Sequence, residues 1–155
     1  MRIYVDSDAC PVKQEIIRVA ERHGLAVTFI GNKWARGLDH PLVDQVVAAE
    51  GLNEADDRIV ERIAVGDIVV TGDVPLAARC LEKGARGIDH RGKAFDGDSI
   101  GMAVAMRDLM THIRDTGGVT GGPAPYGKQD RSRFLDGLER LIQSGKQPAG
   151  GGRAV

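Results

Sequence analysis

The feature that most constrains the fold is a regular alternation of short apolar segments with helical segments. Residues 2–5 are apolar and β-rich, the apolar positions between Val12 and Ala20 follow helical spacing, and residues 26–30 form a second apolar segment. Pro11 stands just before the helical segment and Gly24 just after it, which is typical of the start and the end of a helix. The N-terminal part therefore predicts a strand–helix–strand unit.

The alternation continues beyond this unit. It predicts a loop at 33–41, a strand at 42–49, a helix at 54–64, a buried strand at 68–71, a helix from Pro75 to Gly84 and a short strand at 85–88. Such alternation is typical of an α/β fold with a central, mainly parallel sheet that carries helices on both faces. We therefore expect a three-layer α/β architecture.

The C-terminal part continues with helices and a glycine-rich stretch. It predicts a helix at 100–113, a glycine-rich loop at 117–127 and a last helix at 131–142. Because 155 residues are about the length of one domain, we expect a single domain over residues 1–144. Residues 145–155 have the composition of a tail, and we expect them to be disordered.

Charge and cysteine content exclude several classes of protein. The chain carries 21 basic and 22 acidic residues, so it is not a basic polyelectrolyte. Its two cysteines, Cys10 and Cys80, provide neither a disulfide framework nor a zinc ribbon. No run approaches the roughly 18 apolar residues of a membrane span, and Asp6 comes too early for a signal-peptide core. We therefore expect a cytoplasmic protein without a membrane partner.

Acidic side chains follow the predicted strands at the points where each strand ends. The polar residues in question are Asp6 and Asp8 after the first strand, Asn32 after the second, Asp73 after the strand at 68–71, and Asp56 and Asp57 near the start of a helix. Ligands of open parallel sheets bind beyond the carboxyl ends of the strands. If the strands are neighbours, these carboxylates converge at one edge of the sheet.

Converging carboxylates repel one another unless protons or cations intervene. Mg²⁺ or Mn²⁺ is the natural counter-ion, since hard cations take oxygen ligands. Two such ions about 4 Å apart can activate a water and stabilise the leaving oxygen of a phosphodiester. A purely structural role stays open, because Asp8 and Asp56 can cap helices and Gly72-Asp73 can form a turn.

Longer motifs extend across most of the chain. They are Val5–Lys13 (VDSDACPVK), Ala55–Asp57, Gly66–Ala77 (GDIVVTGDVPLA), Ala105–Leu109, Thr120–Pro123 and Asp130–Arg131. Together they resemble the bacterial YaiI/YqxD family over roughly residues 2–142. One position departs from the family pattern, since Gly72 stands where alanine is more often expected.

The resemblance implies a branch of the PIN-like nuclease superfamily, whose folds use an acidic cluster and a divalent metal to cut RNA or DNA. It implies metal-binding roles for Asp6, for Asp56 or Asp57, and for Asp73, with Asp8 as a further catalytic candidate. The implied cofactor is Mg²⁺ or Mn²⁺. The implied partner is nucleic acid, with RNA expected.

Several other side chains are candidates for contacts with the substrate. Lys13, Asn32, Thr71, Arg107 and Arg131 are predicted to bind substrate, with the basic members contacting phosphates. The alternative for the basic residues is an ordinary solvated helix face.

Trp34 lies in the predicted loop at 33–41. It is expected to be buried or to contact another subunit, with stacking on a base as the alternative. An edge strand or the last helix offers a surface through which a homo-oligomer can form.

Two other functions compete with a nuclease. A phosphatase resembling the haloacid-dehalogenase class would use the strand ending in Asp6-Ser7-Asp8, with Asp6 as the nucleophile and Asp8 as the general acid. A non-catalytic module that binds RNA or a protein would retain the acids for stability alone. The phosphatase predicts a covalent aspartyl-phosphate, whereas the module predicts no stabilisation by divalent metal.

Overall fold

Strands and helices alternate along the chain much as the sequence predicts. The computed structural model describes residues 1–8, 10–48, 51, 54–96 and 125–146. The described residues form β1 (Arg2–Asp6), α1 (Lys13–His23), β2 (Ala26–Gly31), β3 (Val43–Val47), α2 (Glu54–Arg62), β4 (Ile68–Val70), α3 (Val74–Glu82), β5 (Arg86–Ile88), β6 (Ala94–Phe95) and α4 (Lys128–Lys146).

The strands form one six-stranded sheet in the order β3-β2-β1-β4-β5-β6. The first five strands are parallel, and β6 runs antiparallel to β5 at one edge. At the centre of the sheet, Val5 of β1 is in register with Phe29 of β2 and with Val70 of β4. The chain moves outward from β1 in one direction through β2 and β3, and then returns to the other side of β1 at β4.

Helices cover both faces of the sheet, and the side chains of β1 alternate between the two layers. Ile3 and Val5 belong to a core that includes residues of α1 and α4, such as Ile16 and Phe134. Tyr4 points to the opposite core, formed with residues of α2 and α3. Such near-continuous apolar strands are characteristic of parallel sheets buried on both faces. The prediction of a three-layer α/β fold with a mainly parallel sheet is confirmed.

The structure adds to the predicted elements at the C-terminal side. β6 has only two residues and was not predicted. Helix α4 spans Lys128–Lys146, so it extends beyond the predicted 131–142 at both ends and enters the segment expected to be a tail. The predicted helix at 100–113 and most of the predicted loop at 117–127 lie outside the described residues. In the described ranges, no helix is both long enough and apolar enough to cross a membrane.

Candidate functional site

The strand order reverses between β1 and β4, which makes their carboxyl ends the expected ligand site of an open α/β sheet. Asp6 is the last residue of β1, and Thr71 directly follows β4. Asp73 precedes α3 and caps its N-terminus by accepting a hydrogen bond from the Leu76 amide, at 3.2 Å. Two carboxylates thus lie at the reversal point, because Asp6 ends β1 and Asp73 follows the adjacent strand β4.

The buried side chain of Thr71 joins the end of β1 to the connection between β4 and α3. The Thr71 side chain donates a hydrogen bond to Asp6 Oδ2 at 2.9 Å, and its Oγ1 accepts one from the Asp73 backbone amide at 2.9 Å. Thr71 is fully buried. Thr71 was predicted to bind substrate, and the structure shows its hydroxyl engaged with Asp6 and with the backbone of Asp73. The observed contacts make it a positioning residue for the two acids.

The carboxyl group of Asp6 lies in an unfavourable environment for a negative charge. Burial raises its pKa to about 6, and the hydrogen bond from Thr71 opposes that rise. Repulsion by the carboxylates of Asp56, Asp73 and Asp8 also contributes to this rise. Asp6 is thus the acid whose pKa is raised by each of the other three acids.

The two acids of α2 differ in their surroundings. Burial raises the pKa of Asp56, repulsion by Asp73 adds to the rise, and the nearby guanidinium of Arg79 opposes it. Asp57 instead forms an ion pair with Arg79 of α3, with 2.9 Å between Oδ1 and Nη1. Among the two, Asp56 is therefore the acid that contributes to the field at Asp6.

Asp8 reaches the site from the segment after β1. It is exposed, and its Oδ2 accepts a hydrogen bond from the backbone amide of Asn32 at 2.8 Å. Gly31 at the end of β2 makes this approach possible, since a Cβ there would lie 2.7 Å from Asp8 Oδ1. The Asn32 side chain was predicted to bind substrate. Its Oδ1 is buried and has no hydrogen-bond partner among the described residues.

The predicted basic residues have partners on the protein. The Lys13 ammonium donates to the carbonyl oxygen of Cys10 at 3.0 Å. Arg131 forms an ion pair with Glu15 of α1, with 3.2 Å between Nε and Oε2. Arg107 lies outside the described residues.

A second group of cations lies near the carboxyl end of β5. The turn after β5 and the facing side of α4 form a groove lined by Arg91, Lys93, Arg133 and Arg140, with Asp136 as its acidic member. Arg91 is paired with Asp130 at 3.0 Å. The sequence signal that points to this groove is the pair Arg91 and Lys93 shortly after the predicted strand at 85–88, since they continue the chain beyond the carboxyl end of that strand.

His90 is the other neighbour that was not predicted. Its ring lies close to Gly72, at 3.7 Å from the position of a Cβ there, and so beside the connection that carries Asp73. Burial lowers its pKa, and Asp89 opposes this effect. No partner for Nε2 exists within the part of the chain that the structure describes.

The donor set has the chemistry that Mg²⁺ or Mn²⁺ prefers, since every acid of the cluster offers carboxylate oxygens. In the described ranges, no three His, Cys, Asp or Glu side chains are arranged to hold one metal ion between them. Magnesium sites commonly use one or two carboxylates and complete their shell with waters and substrate phosphates. The residues therefore fit an open site of that kind, with Asp6 and Asp73 as the pair joined by Thr71.

Sequence comparison identifies relatives over nearly the whole chain. Residues 4–144 match the profile of a family described as "Uncharacterized BCR, YaiI/YqxD family". A UPF0178 protein of Parvibaculum lavamentivorans is 57% identical over 142 residues, which cover 92% of this chain and 93% of that protein. A UPF0178 protein of Agrobacterium fabrum is 51% identical over 146 residues, covering 94% and 95% of the two chains.

A third relative, the UPF0178 protein RPA2191 of Rhodopseudomonas palustris, is 53% identical over 142 residues and covers 92% of this chain and 90% of its own. No solved structure matches the chain significantly. The family profile and these identities agree with the motifs around Asp6 and Asp73. The chain belongs to the YaiI/YqxD family.

Proposed function

We propose that the protein is a divalent-metal-dependent nuclease that hydrolyses phosphodiester bonds, with RNA as the expected substrate. The observation that carries the proposal is the position of Asp6 and Asp73 after two adjacent strands where the strand order reverses, with Asp56 near enough to raise the pKa of Asp6. One buried hydroxyl, that of Thr71, contacts both the carboxylate of Asp6 and the backbone amide of Asp73. The PIN-like resemblance of the sequence supports the same reaction class.

The acids of the cluster have different proposed roles, which follow from their positions. Asp6 and Asp73 are the proposed metal ligands, because Thr71 joins the carboxylate of Asp6 to the backbone amide of Asp73 across the two adjacent strands. Asp56 and Asp8 add negative charge near Asp6 and so increase the attraction for a cation there. When bound, Mg²⁺ or Mn²⁺ lowers the pKa of an attacking water and stabilises the charge that develops on the phosphate.

The groove between the turn after β5 and α4 supports a polyanionic substrate. Lys93, Arg133 and Arg140 are exposed, and no carboxylate partner is found for them among the described residues. Cations of this kind contact phosphates without regard to base sequence. The ring of His90, which precedes Arg91 of this groove, lies near Gly72 and so next to the connection that carries Asp73.

Cleavage of labelled single-stranded RNA and DNA tests the proposal, with Mn²⁺, with Mg²⁺ and with chelator. Asp6→Asn and Asp73→Asn are suitable variants, because an amide oxygen still accepts the hydrogen bond from Thr71 and asparagine still caps a helix. Asp44→Asn on β3 is the matched control, since Asp44 is exposed and does not belong to the cluster.

We expect metal-dependent cleavage of RNA by the wild type and by Asp44→Asn, and loss of cleavage in the other two variants. Cleavage that persists in Asp6→Asn and Asp73→Asn would show a contaminating nuclease or a different site. Metal binding without cleavage of either nucleic acid would replace the nuclease by a metal-dependent phosphoesterase of another substrate class.

The phosphatase alternative uses the same strand and has one contact in its favour, the hydrogen bond from Thr71 to Asp6. In that mechanism Asp8 must donate a proton as general acid. The structure instead shows Asp8 Oδ2 as the acceptor of the Asn32 amide. Detection of an aspartyl-phosphate at Asp6 by mass spectrometry would reverse this assignment.

A further inference from the structure

Trp34 is the only tryptophan of the chain, and it is exposed. It lies in the segment after β2, beyond the carboxyl end of that strand, and 66% of its surface is accessible. Burial against the sheet, which the sequence favoured together with a subunit contact, is not what the structure shows. An indole is a large apolar group whose exposure forgoes a substantial gain from burial.

The segment that carries Trp34 is held firmly on its C-terminal side. The Gln45 side chain pairs with the backbone of Ala35, accepting from the amide at 2.5 Å and donating to the carbonyl oxygen at 3.1 Å. The Gln14 side chain donates to the Gly37 carbonyl oxygen at 2.7 Å. The indole is therefore exposed on a fixed backbone.

The same segment is tied to the acidic cluster on its N-terminal side. The Asn32 amide donates to Asp8 Oδ2, and Asn32 precedes Trp34 by only two residues. Two residues of chain span at most about 7 Å. The Cα atom of Trp34 therefore lies within about 7 Å of that of Asn32, the residue whose amide contacts Asp8.

Positive charge flanks the indole on both sides in sequence. Lys33 and Arg36 are exposed, and neither has a carboxylate partner within the described ranges. Proteins that bind single strands combine cations for the phosphates with aromatic rings on which unpaired bases stack. Bases inside a duplex are already stacked on each other and offer no free face to such a ring.

We propose that Trp34 stacks on an unpaired base of a single-stranded nucleic acid whose phosphates contact Lys33 and Arg36. This inference rests on the proposed function, because it assigns the class of substrate that enters the acidic site. It makes Trp34 a binding residue that favours single strands over duplexes.

The single tryptophan allows a direct test by its fluorescence. Wild-type protein in chelator, where a metal-dependent nuclease does not cut, is titrated with a short oligouridylate, with an abasic oligonucleotide of equal length and with a duplex. We expect saturable quenching by the oligouridylate and much weaker quenching by the other two. Equal quenching by the abasic strand would overturn the proposal, because phosphates alone would then account for it.

Affinity measurements on variants complete the test, with the anisotropy of a labelled oligouridylate as the readout. Stacking predicts that Trp34→Leu weakens binding by about 5- to 100-fold, while Trp34→Phe retains part of the affinity. Val65→Ala is the matched control. Val65 is 80% exposed and precedes β4, so it lies at the amino ends of the parallel strands, away from the acids at their carboxyl ends. Unchanged affinity of Trp34→Leu would overturn the proposal.

The two proposals fail in different ways. Metal-dependent cleavage with unchanged binding by Trp34→Leu would leave the nuclease intact and exclude the stacking role. Base-dependent quenching without any cleavage would support the stacking role and contradict the proposed nuclease activity. Self-association of the wild type that Trp34→Leu abolishes, with no quenching by oligouridylate, would overturn stacking and assign Trp34 to a contact between subunits.

Discussion

Replacement of Asp6 by asparagine is expected to stabilise the metal-free protein at neutral pH while removing the proposed nuclease activity. Burial and the three neighbouring carboxylates raise the pKa of Asp6 from 3.8 to about 6. The folded protein therefore holds a charge that it disfavours whenever the pH exceeds that value. Asparagine keeps the hydrogen bond from Thr71 and carries no charge.

The magnitude follows from the difference between the two pKa values. One pKa unit corresponds to about 1.4 kcal/mol, so a difference of about two units sets a ceiling of about 3 kcal/mol. Solvent screens a half-buried group, which reduces the expected gain to about 1–2 kcal/mol. For a protein of this size, that gain raises Tm by roughly 2–8 °C.

The pH dependence of this gain has a definite sign. Below about pH 3.8 the carboxyl is protonated in the folded and the unfolded state, so it contributes no difference. Between about pH 3.8 and 6 the unfolded chain releases its proton first, and the wild type loses stability relative to the variant. The advantage of Asp6→Asn is therefore absent in acid, grows through this window and is complete above about pH 6.

Thermal unfolding of the wild type, Asp6→Asn and Asp44→Asn in chelator, measured across this pH range, checks the prediction. The exposed control is expected to change stability by no more than about 0.5 kcal/mol. A less stable Asp6→Asn at neutral pH, or a gain independent of pH, would refute the electrostatic reasoning. Millimolar Mn²⁺ is expected to raise Tm of the wild type and not of Asp6→Asn, since only a site in the native state stabilises it. Equal Tm with and without Mn²⁺ in the wild type would favour the non-catalytic module.

Two further predictions concern the hydrogen bonds of other buried or paired groups. Thr71→Val removes the donor to Asp6 and the acceptor of the Asp73 amide. We therefore expect the free energy of unfolding, measured with denaturant, to fall by about 1–3 kcal/mol and cleavage to be lost. An active variant of wild-type stability would contradict the positioning role. Hydrogen bonds from His23 lower the pKa of Glu139 to about 2, so Glu139→Gln is expected to lower stability by about 0.5–1 kcal/mol above pH 4.5, with the difference fading as pH falls toward 2. A difference that grows in acid would contradict it.

The position of the acids was predictable from sequence because polar residues that follow apolar strands reach one edge of a parallel sheet. Asp6 and Asp73 follow strands that proved to be neighbours. Sequence alone did not separate Asp56 from Asp57, since residues adjacent on a helix point about 100° apart and only the packing of α2 against α3 decides between them. The ion pair between Asp57 and Arg79 makes that decision.

Other features depend on contacts that leave little trace in the sequence. The strand β6 has two residues, too few for a hydrophobic period, and exists because it pairs with β5. The hydrogen bond between Thr71 and Asp6 joins residues that are distant in sequence, so it could be recognised only once β1 and β4 were seen to be neighbours. The exposure of Trp34 reflects how side chains of Gln14 and Gln45 hold its segment, which no local pattern indicates.

The most direct test of the central claim, that the acids at the end of β1 and β4 form a divalent-cation site, is a Mn²⁺ titration followed by the EPR signal of the free ion. The wild type, Asp6→Asn, Asp73→Asn and the control Asp44→Asn are compared at neutral pH. We predict that the wild type and the control bind Mn²⁺ with equal affinity and that the other two bind at least about tenfold more weakly. Equal binding by all four proteins, or no binding by the wild type, would contradict the account.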